Sequence, residues 1–342
     1  MFHRRCAIAP LVLLAGSAAI SAAQMPAGST PDPALDAYAR PANLVDIGGR
    51  KLNLRCSGSG TPTVMLESGA TTDSLTWFKV QPLLARTTTV CSYDRAGYGF
   101  SDDGPRPRDI DADAADLHAL IHAAHLALPV VLVGHSLGTN IVRRYADTHA
   151  ADVAGIVLVD PPPQHISEFS ANWVKTDDEM HEKVIAFATL CEKAASAGQL
   201  QKPAGELEKC IRPPDPNYPP ALNAAIHAQK EKPPFWHTLI SEFQTNMTLF
   251  EQPVSPKESH GAMPLIVLTA DSSFADAPPD GKSAMESAQQ KTHKLIVATS
   301  TRGERRWVTE SSHDMQFDQP QAIVTAVGDV IKQAGAGKSG AN

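Results

Sequence analysis

The feature that most constrains the fold of this chain is an apolar run that ends at a serine between two glycines. Val130 to Val133 are apolar, and a G-x-S-x-G pentapeptide follows at residues 134–138. A helical pattern then begins, with apolar side chains on one face at Ile141, Val142, Tyr145 and Ala146. This order of strand, sharp turn and helix is the context in which such a serine acts as a nucleophile. The turn should point the Ser136 hydroxyl off the sheet and place the Leu137 N–H at a helix N-terminus, where negative charge is stabilised.

Strand and helix patterns alternate over most of the chain. A hairpin is predicted from Leu44 to Cys56, with its turn at Gly48 and Gly49. Apolar runs typical of buried strands occur at residues 63–66, 89–93, 130–133, 155–159, 265–269 and 295–298. A helical pattern fills residues 109–128. This alternation predicts an α/β fold with a mostly parallel, doubly wound sheet of about eight strands, covered by helices on both faces.

One long segment interrupts the alternation. Residues 161–263 carry helical patterns only, around 179–195, 221–230 and 236–250, which predicts an inserted helical cap. The α/β core is then expected at residues 44–160 and 264–333, with a last helix from about residue 319 to 333. We expect a flexible lead-in at 24–43 and a disordered tail at 334–342.

The first 23 residues have the pattern of a secretory signal peptide. A basic start precedes an apolar stretch from Cys6 to Ile20, and the small residues Ser21 to Ala23 suit a cleavage site. An uncleaved membrane anchor is the alternative, although the stretch is shorter than the about 20 residues that span a bilayer. We therefore expect an exported protein, periplasmic or extracellular, without stable membrane insertion after cleavage.

Charge and missing motifs exclude several classes of function. The chain has 37 Asp and Glu against 30 Lys and Arg, a net charge of −7, which argues against a nucleic acid partner. It contains no phosphate-binding loop, dinucleotide fingerprint or H-E-x-x-H zinc motif. We therefore predict that no cofactor is used. The oligomeric state stays open.

Four cysteines follow the signal segment: Cys56, Cys91, Cys191 and Cys210. Export would expose them to an oxidising compartment, where an even set favours disulfides, and three pairings are possible. We favour Cys56 with Cys91 and Cys191 with Cys210, because each pair falls within one segment of the predicted organisation. Free buried thiols are the alternative.

A base for Ser136 is predicted at His313. This residue lies between the last predicted strand and the last predicted helix. In a doubly wound sheet such a loop emerges at the same edge as the turn that carries Ser136. The order of serine before histidine agrees with that arrangement.

From Leu44 to Gln333 the chain resembles the α/β-hydrolases. Besides Ser136 and His313, residues 94–102 are similar to the D-R-x-G-x-G-x-S signature of that family, which we interpret as shaping a loop beside the site. Residues 68–70 match the family's oxyanion loop, with a serine in place of the usual histidine and the glycine kept. The resemblance implies that the Ala70 N–H joins the Leu137 N–H as an oxyanion donor. It also makes the strands that bear Cys56 and Cys91 neighbours.

The triad acid is where the chain departs from the family pattern. Most members carry it shortly after the strand that here ends at Thr269, near Ser273, which is not acidic. Asp271 and Asp276 flank that position. A minority carry the acid after the preceding strand, which here gives Asp160. We predict Asp160 and keep Asp271 as the alternative; the acid would hold the histidine tautomer and stabilise the imidazolium.

These residues predict acyl transfer through a serine. Relatives that open epoxides or remove halogens attack with a carboxylate, so hydrolysis of a small carboxylic ester is the first choice. An aminopeptidase similar to proline iminopeptidases, acting on an amide, is the second. It would need acidic cap residues to bind an amine, and the candidates are Glu168, Asp177, Asp178 and Glu179. A catalytically inactive binding protein on the same fold is the alternative outside the enzymes.

A second group of side chains lies on the helix predicted at residues 109–128. His118, His122 and His125 follow a spacing of four and three residues and so share one face. Histidines one turn apart can bind zinc or nickel. Because no acidic or cysteine ligand follows nearby in sequence, we favour a solvated helix surface and predict no metal site.

Overall fold

The computed structural model describes residues 32–277 and 279–339, and in this range one eight-stranded sheet forms the centre of the molecule. The strands are β1 (Asn43–Asp46), β2 (Lys51–Ser57), β3 (Val64–Glu67), β4 (Val90–Tyr93), β5 (Val130–His135), β6 (Val153–Val159), β7 (Leu265–Ala270) and β8 (Gly303–Val308). Their order in the sheet is β1-β2-β4-β3-β5-β6-β7-β8. The pairs β1–β2 and β2–β4 are antiparallel and all other pairs are parallel. The predicted α/β class with a mostly parallel sheet is confirmed.

Helices cover both faces of the sheet. They are α1 (Gln81–Leu84), α2 (Ile110–Ala123), α3 (Leu137–Thr148), α4 (Trp173–Ser196), α5 (Pro220–Lys230), α6 (Pro233–Glu251), α7 (Pro279–Ala298), α8 (Met315–Asp318) and α9 (Pro320–Ser339). Side chains alternate along the buried strands, so Leu132 packs with α2 and α3 while Val131 and Val133 pack with α1 and α9. The apolar runs of the sequence are therefore strands that are buried on both faces.

The last strand differs from its prediction. Residues 295–298 form the end of α7, with Ile296 buried against the α2 and α3 side, and the strand lies at Gly303–Val308 instead. A short apolar run cannot by itself distinguish a strand from a helix end. The actual strand is at the edge of the sheet, where the Trp307 side chain is exposed and Arg305 and Arg306 are half-buried. Edge strands commonly carry charge, so no apolar run marks this one in the sequence.

The chain ends also differ from expectation. Part of the expected flexible lead-in is a 3-10 helix at Pro33–Ala39, where Leu35 is buried beside Tyr218 and Leu222 of the cap. Helix α9 continues to Ser339, so the tail expected to be disordered from residue 334 is helical up to that point. The glycines in this stretch have a low helix propensity, so the sequence favours disorder there. The predicted signal peptide at residues 1–23 lies outside the described residues.

The segment between β6 and β7, called the cap below for residues 161–263, contains α4, α5 and α6. Helix α4 begins at Trp173, earlier than the sequence pattern indicated. A Cys191–Cys210 disulfide joins α4 to a 3-10 helix at Gly205–Cys210. A Cys56–Cys91 disulfide joins β2 and β4 at paired positions. Both favoured pairings are thus present. Among the described residues, no helix combines the length and the apolar character needed to cross a membrane.

Candidate active site

Ser136 occupies a strained turn between β5 and α3. Its φ of 51° and ψ of −124° lie outside the regions that residues with a side chain usually adopt. The flanking glycines explain why the chain can make this turn. A Cβ atom on Gly134 would lie 2.5 Å from the Gly138 carbonyl oxygen, and one on Gly138 would lie 2.6 Å from the Ser68 carbonyl oxygen. Any larger residue at either position would push the helix away from the strand and move Ser136.

His313 and Asp160 meet beside this turn. Asp160 follows β6 directly, has a left-handed φ of 45°, and is fully buried. His313 Nδ1 lies 2.7 Å from Asp160 Oδ2, although the two residues are 153 positions apart in the chain. His313 and Ser136 both line one cavity. The structure therefore brings together the predicted nucleophile, base and preferred acid.

Three other groups donate hydrogen bonds to the Asp160 carboxylate. The Ser273 hydroxyl donates to Oδ2 at 2.6 Å, while the Ala270 N–H and the Gln289 amide donate to Oδ1 at 3.0 and 3.1 Å. Burial raises the pKa of Asp160, but the hydrogen bond and charge of His313, with help from His293 and Ser273, lower it below its usual value. Asp160 is thus held as a carboxylate that faces His313.

The same pair changes the pKa of His313 in the opposite direction. Burial lowers the pKa of His313, but the hydrogen bond and charge of Asp160, with a contribution from Asp314, raise it above the usual histidine value. An imidazolium at this position is consequently stabilised, which is the task of a triad acid.

The alternative acid, Asp271, has a different role. Its carboxylate is exposed and accepts hydrogen bonds from the backbone N–H groups of Glu310 and Ser311, at 3.0 and 3.2 Å. Asp271 therefore fixes the loop that leads to His313 and does not reach the imidazole. Ser273, which stands where most of the family has its acid, binds Asp160 instead. The geometry separates the two candidates in favour of Asp160.

Two buried histidines support the site and were not singled out from the sequence. His135 Nε2 lies 3.0 Å from the His313 carbonyl oxygen, and His293 Nε2 lies 2.8 Å from the Pro161 carbonyl oxygen. Burial lowers the pKa of each to about 4, so both are neutral at pH 7 and donate from Nε2 to these carbonyls. They hold the backbone on either side of the His313–Asp160 pair. His135 is the second residue of the G-x-S-x-G pentapeptide, and its position was the signal that could have identified it.

The two predicted oxyanion donors lie next to Ser136. Leu137 is the first residue of α3, so its N–H has no acceptor within the helix. Gly69, whose peptide bond carries the Ala70 N–H, lies beside Ser136, because a Cβ atom on Gly69 would be only 3.2 Å from Ser136 Cβ. Two backbone N–H groups near a nucleophilic serine are the usual donors to the negative oxygen of a tetrahedral intermediate.

Arg95 fixes the oxyanion loop from behind. Its Nη1 donates to the Ser68 carbonyl and its Nη2 to the Gly69 carbonyl, each at 2.8 Å. In a trans peptide the N–H points away from the C=O, so holding the Gly69 carbonyl turns the Ala70 N–H to the side opposite Arg95. Arg95 belongs to the D-R-x-G-x-G-x-S segment, and its contacts agree with the interpretation that this segment shapes a loop beside the site.

The same guanidinium connects the core to the cap. Arg95 Nη1 lies 2.9 Å from Glu67 Oε1, and Nη2 lies 3.1 Å from Glu242 Oε1 on α6. Glu242 also accepts a 2.8 Å hydrogen bond from the Tyr98 hydroxyl. Burial raises the pKa of Glu67 to about 7 despite the opposing effect of Arg95. The sequence gives no sign of the Glu242 contact, since the two residues of this ion pair lie far apart in the chain.

A cavity of about 370 Å³ separates the cap from Ser136 and His313. Apolar side chains form much of its wall, including Pro161, Ile166, Trp173, Phe250, Phe274 and Met285. Trp77 and Phe78 are not among the described residues that line it. Trp77 is buried in the core with its ring nearly perpendicular to that of His135, and Phe78 packs against Phe317.

The cap carboxylates divide into two groups. Asp177 and Asp178 line the cavity together with Glu251. Burial, followed by the charges of Asp178 and Glu251, raises the pKa of Asp177 to about 6. Glu168 instead forms an ion pair with Lys291, and the exposed Glu179 faces Lys175. Of the four acidic candidates, only Asp177 and Asp178 reach the cavity.

Comparison with known proteins agrees with this architecture. The family model for the alpha/beta hydrolase fold matches residues 62–216. The chain is 25% identical over 280 residues to the uncharacterized protein YqjL of Bacillus subtilis, covering 80% of this chain and 85% of that protein. It is 37% identical over 118 residues to a non-heme haloperoxidase of Rhodococcus erythropolis, covering 34% of this chain and 42% of the relative.

Solved structures lead to the same fold. A thermophilic esterase from Thermogutta terrifontis superimposes with a TM-score of 0.53 at 18% identity, covering 83% of this chain and 94% of the esterase. Together with the sheet order and the elbow at Ser136, these matches show that the chain has the α/β-hydrolase fold. The fold and its esterase and haloperoxidase relatives support hydrolase activity on a small-molecule substrate.

Proposed function

We propose that this protein is an exported serine hydrolase that cleaves carboxylic esters through Ser136, His313 and Asp160. The observation that carries the proposal is the 2.7 Å contact between His313 Nδ1 and the buried Asp160, beside a cavity that both His313 and Ser136 line. The strained backbone at Ser136 supports a catalytic role, because such strain concentrates at active sites.

In the proposed reaction, Asp160 keeps the proton of His313 on Nδ1, so that Nε2 is free to act as the base. Ser136 Oγ attacks the ester carbonyl while His313 takes its proton. The Leu137 and Ala70 N–H groups hold the oxyanion that forms. His313 then donates the proton to the departing alcohol, leaving an acyl group on Ser136. A water molecule, activated by the same histidine, attacks the acyl carbonyl and releases the acid.

The cavity supports an ester of modest size. Its volume of about 370 Å³ is near the lower end of the usual range for small-molecule pockets. Its wall is largely apolar around Ile166, Trp173 and Phe274, which favours an uncharged acyl chain there. We therefore expect short or medium acyl esters to be better substrates than long ones.

A second candidate function is that of an aminopeptidase similar to proline iminopeptidases. Asp177, Asp178 and Glu251 on the cavity wall favour it, because clustered carboxylates attract the ammonium group at the start of a peptide. The same residues would also attract the cationic portion of an ester, so substrate comparison is needed to separate the two activities.

Ester turnover by purified protein tests the proposal. We expect hydrolysis of p-nitrophenyl acetate or butyrate at a higher kcat/KM than p-nitrophenyl palmitate, with loss of turnover in Ser136→Ala and His313→Ala. A prolyl p-nitroanilide with a free amine should be cleaved faster than the esters if the aminopeptidase candidate is correct, and Asp177→Asn should then raise KM. Folded protein that cleaves none of these would favour the inactive binding protein.

Export is tested separately. The proposal predicts that protein recovered from the periplasm or medium of an expressing bacterium begins near Gln24 and lacks residues 1–23. Full-length protein retained in a membrane fraction would instead favour the uncleaved anchor.

A further inference from the structure

A group of polar side chains lies far from Ser136, at the other end of α3. His118 and His122 project from α2, and Asp152 belongs to the short 3-10 helix at Ala150–Asp152 that follows α3. One ligand atom from each of these residues lies within 4.8 Å of the others. We propose that His118, His122 and Asp152 form a binding site for a divalent transition-metal ion, of which Zn²⁺ is the best match.

The distances between the polar atoms support this assignment. Asp152 Oδ2 lies 3.1 Å from His122 Nε2 and 3.6 Å from His118 Nδ1. Ligand atoms on a tetrahedral zinc, with bonds of about 2.0–2.1 Å, are about 3.3–3.4 Å apart. These two separations fall on either side of that value, so small side-chain movements would admit an ion.

The type of ligand limits which ions can bind at this cluster. Two imidazoles and one carboxylate suit zinc, copper and nickel, whereas calcium and magnesium prefer oxygen ligands alone. Three protein ligands would leave the fourth position of a tetrahedral zinc for water. The side chains of His118, His122 and Asp152 are 34, 46 and 20% exposed, so an ion can reach them from solvent.

The structure supplies the carboxylate that the sequence pattern lacked. The sequence placed His125 in one stripe with His118 and His122, but α2 ends at Ala123 and His125 has a left-handed φ of 53°. Asp152, close only through the packing of α2 against α3, faces the two remaining histidines. This juxtaposition favours a metal site over the solvated helix surface that the sequence predicts.

Neighbouring side chains hold the cluster in place. The Tyr145 hydroxyl donates to Asp152 Oδ2 at 3.3 Å, and the His149 ring stacks on the His118 ring with their centroids 3.9 Å apart. Outer contacts of this kind orient metal ligands. Helix α3 has 12 residues and is about 18 Å long, with Ser136 before its first residue and Asp152 beyond its last. The bound ion would consequently stabilise the packing of α2 on α3 and take no part in ester chemistry.

Calorimetric titration of EDTA-treated, desalted protein with ZnCl₂ tests the proposal. We expect one saturable zinc site per chain in the wild type. His118→Ala and Asp152→Asn should each weaken binding at least about ten-fold, because loss of an outer-shell partner alone costs that much. His125→Ala is the matched control, since it removes a histidine from the same end of α2 without touching the cluster, and it should bind like the wild type.

The effect of Zn²⁺ on Tm separates a loss of metal binding from a folding defect in a variant. Zn²⁺ should raise the Tm of the wild type and of His125→Ala but not that of His118→Ala, whose folding is checked by circular dichroism without metal. Calcium at the same concentration should have no effect. Absence of saturable zinc binding, or binding that survives in both His118→Ala and Asp152→Asn, would overturn the assignment.

Discussion

Two histidine–carboxylate groups in this molecule resemble each other in composition and differ in surroundings. At the candidate active site, His313 is 31% exposed and Asp160 is fully buried, with the two atoms 2.7 Å apart. On the surface, His122 is 46% exposed and Asp152 is 20% exposed, 3.1 Å apart. Asp160 also accepts hydrogen bonds from Ser273, Ala270 and Gln289.

The two groups differ in whether the carboxylate oxygens are available to a further ligand. Asp160 has its oxygens occupied by fixed donors, so its orientation toward His313 is determined by the fold. Asp152 is partly exposed, and an ion can replace its contacts with His118 and His122. A buried pair therefore suits proton transfer in one geometry, and an exposed pair suits reversible binding.

Removing the charge of the buried carboxylate should have the largest effect. Asp160→Asn should lower kcat by about 10³- to 10⁴-fold, because the amide favours the wrong histidine tautomer and cannot stabilise the imidazolium. Steady-state ester kinetics measure the loss. Asp271→Asn is the matched control, and it should cost less than about ten-fold, since it only loosens the loop before His313. Equal losses of kcat in Asp160→Asn and Asp271→Asn would contradict the assignment of Asp160 as the triad acid.

Disturbing the support of the oxyanion loop should have the next largest effect. Arg95→Lys should lower kcat by about 10- to 100-fold with little change in KM, because a single ammonium cannot hold the Ser68 and Gly69 carbonyls together. Arg55→Lys is the matched control, because Arg55 likewise donates to two carbonyls, those of Ala37 and Arg40, away from the site. A rise in KM alone would assign Arg95 to substrate binding instead.

The pH dependence of kcat/KM should show the effect of Asp160 on His313 as a shift in its midpoint. His313 must be neutral to accept the Ser136 proton, so kcat/KM should rise as pH rises through the pKa of His313. Because Asp160 raises that pKa, the midpoint should lie above the ordinary histidine value of about 6.5. In Asp160→Asn the midpoint of the residual activity should move to lower pH. A wild-type midpoint below about 6.5 would contradict the proposed stabilisation of the imidazolium.

Metal removal should have the smallest effect on turnover. Treatment with EDTA should leave ester kcat within about two-fold, because the proposed triad chemistry needs no metal and the surface cluster is remote. The Tm of zinc-loaded protein should fall under the same treatment. Loss of turnover that returns with Zn²⁺ would show that the surface site and the active site are coupled.

The sequence predicts those parts of the site that depend on local pattern. The turn at Ser136 follows from glycines whose spacing is visible in the chain. Asp160 is predicted from its place after a strand and from the family resemblance. His313 is predicted from its place before the last helix, although the strand that precedes it is β8 and not residues 295–298. The contacts of Ser273 and Gln289 with Asp160, and of Glu242 with Arg95, join elements that only the tertiary fold brings together. The edge strand β8 was missed because three of its six residues are charged and only Val308 is buried, so that no apolar run marks it.

The central claim is that Ser136 is the nucleophile activated by His313. Mass spectrometry of protein treated with a fluorophosphonate tests it most directly, with the adduct mapped by peptide digestion. The account predicts a single adduct on Ser136, absent in Ser136→Ala and formed at least about 10³-fold more slowly in His313→Ala. Folded wild-type protein that forms no adduct, or forms it on another serine, would contradict the account.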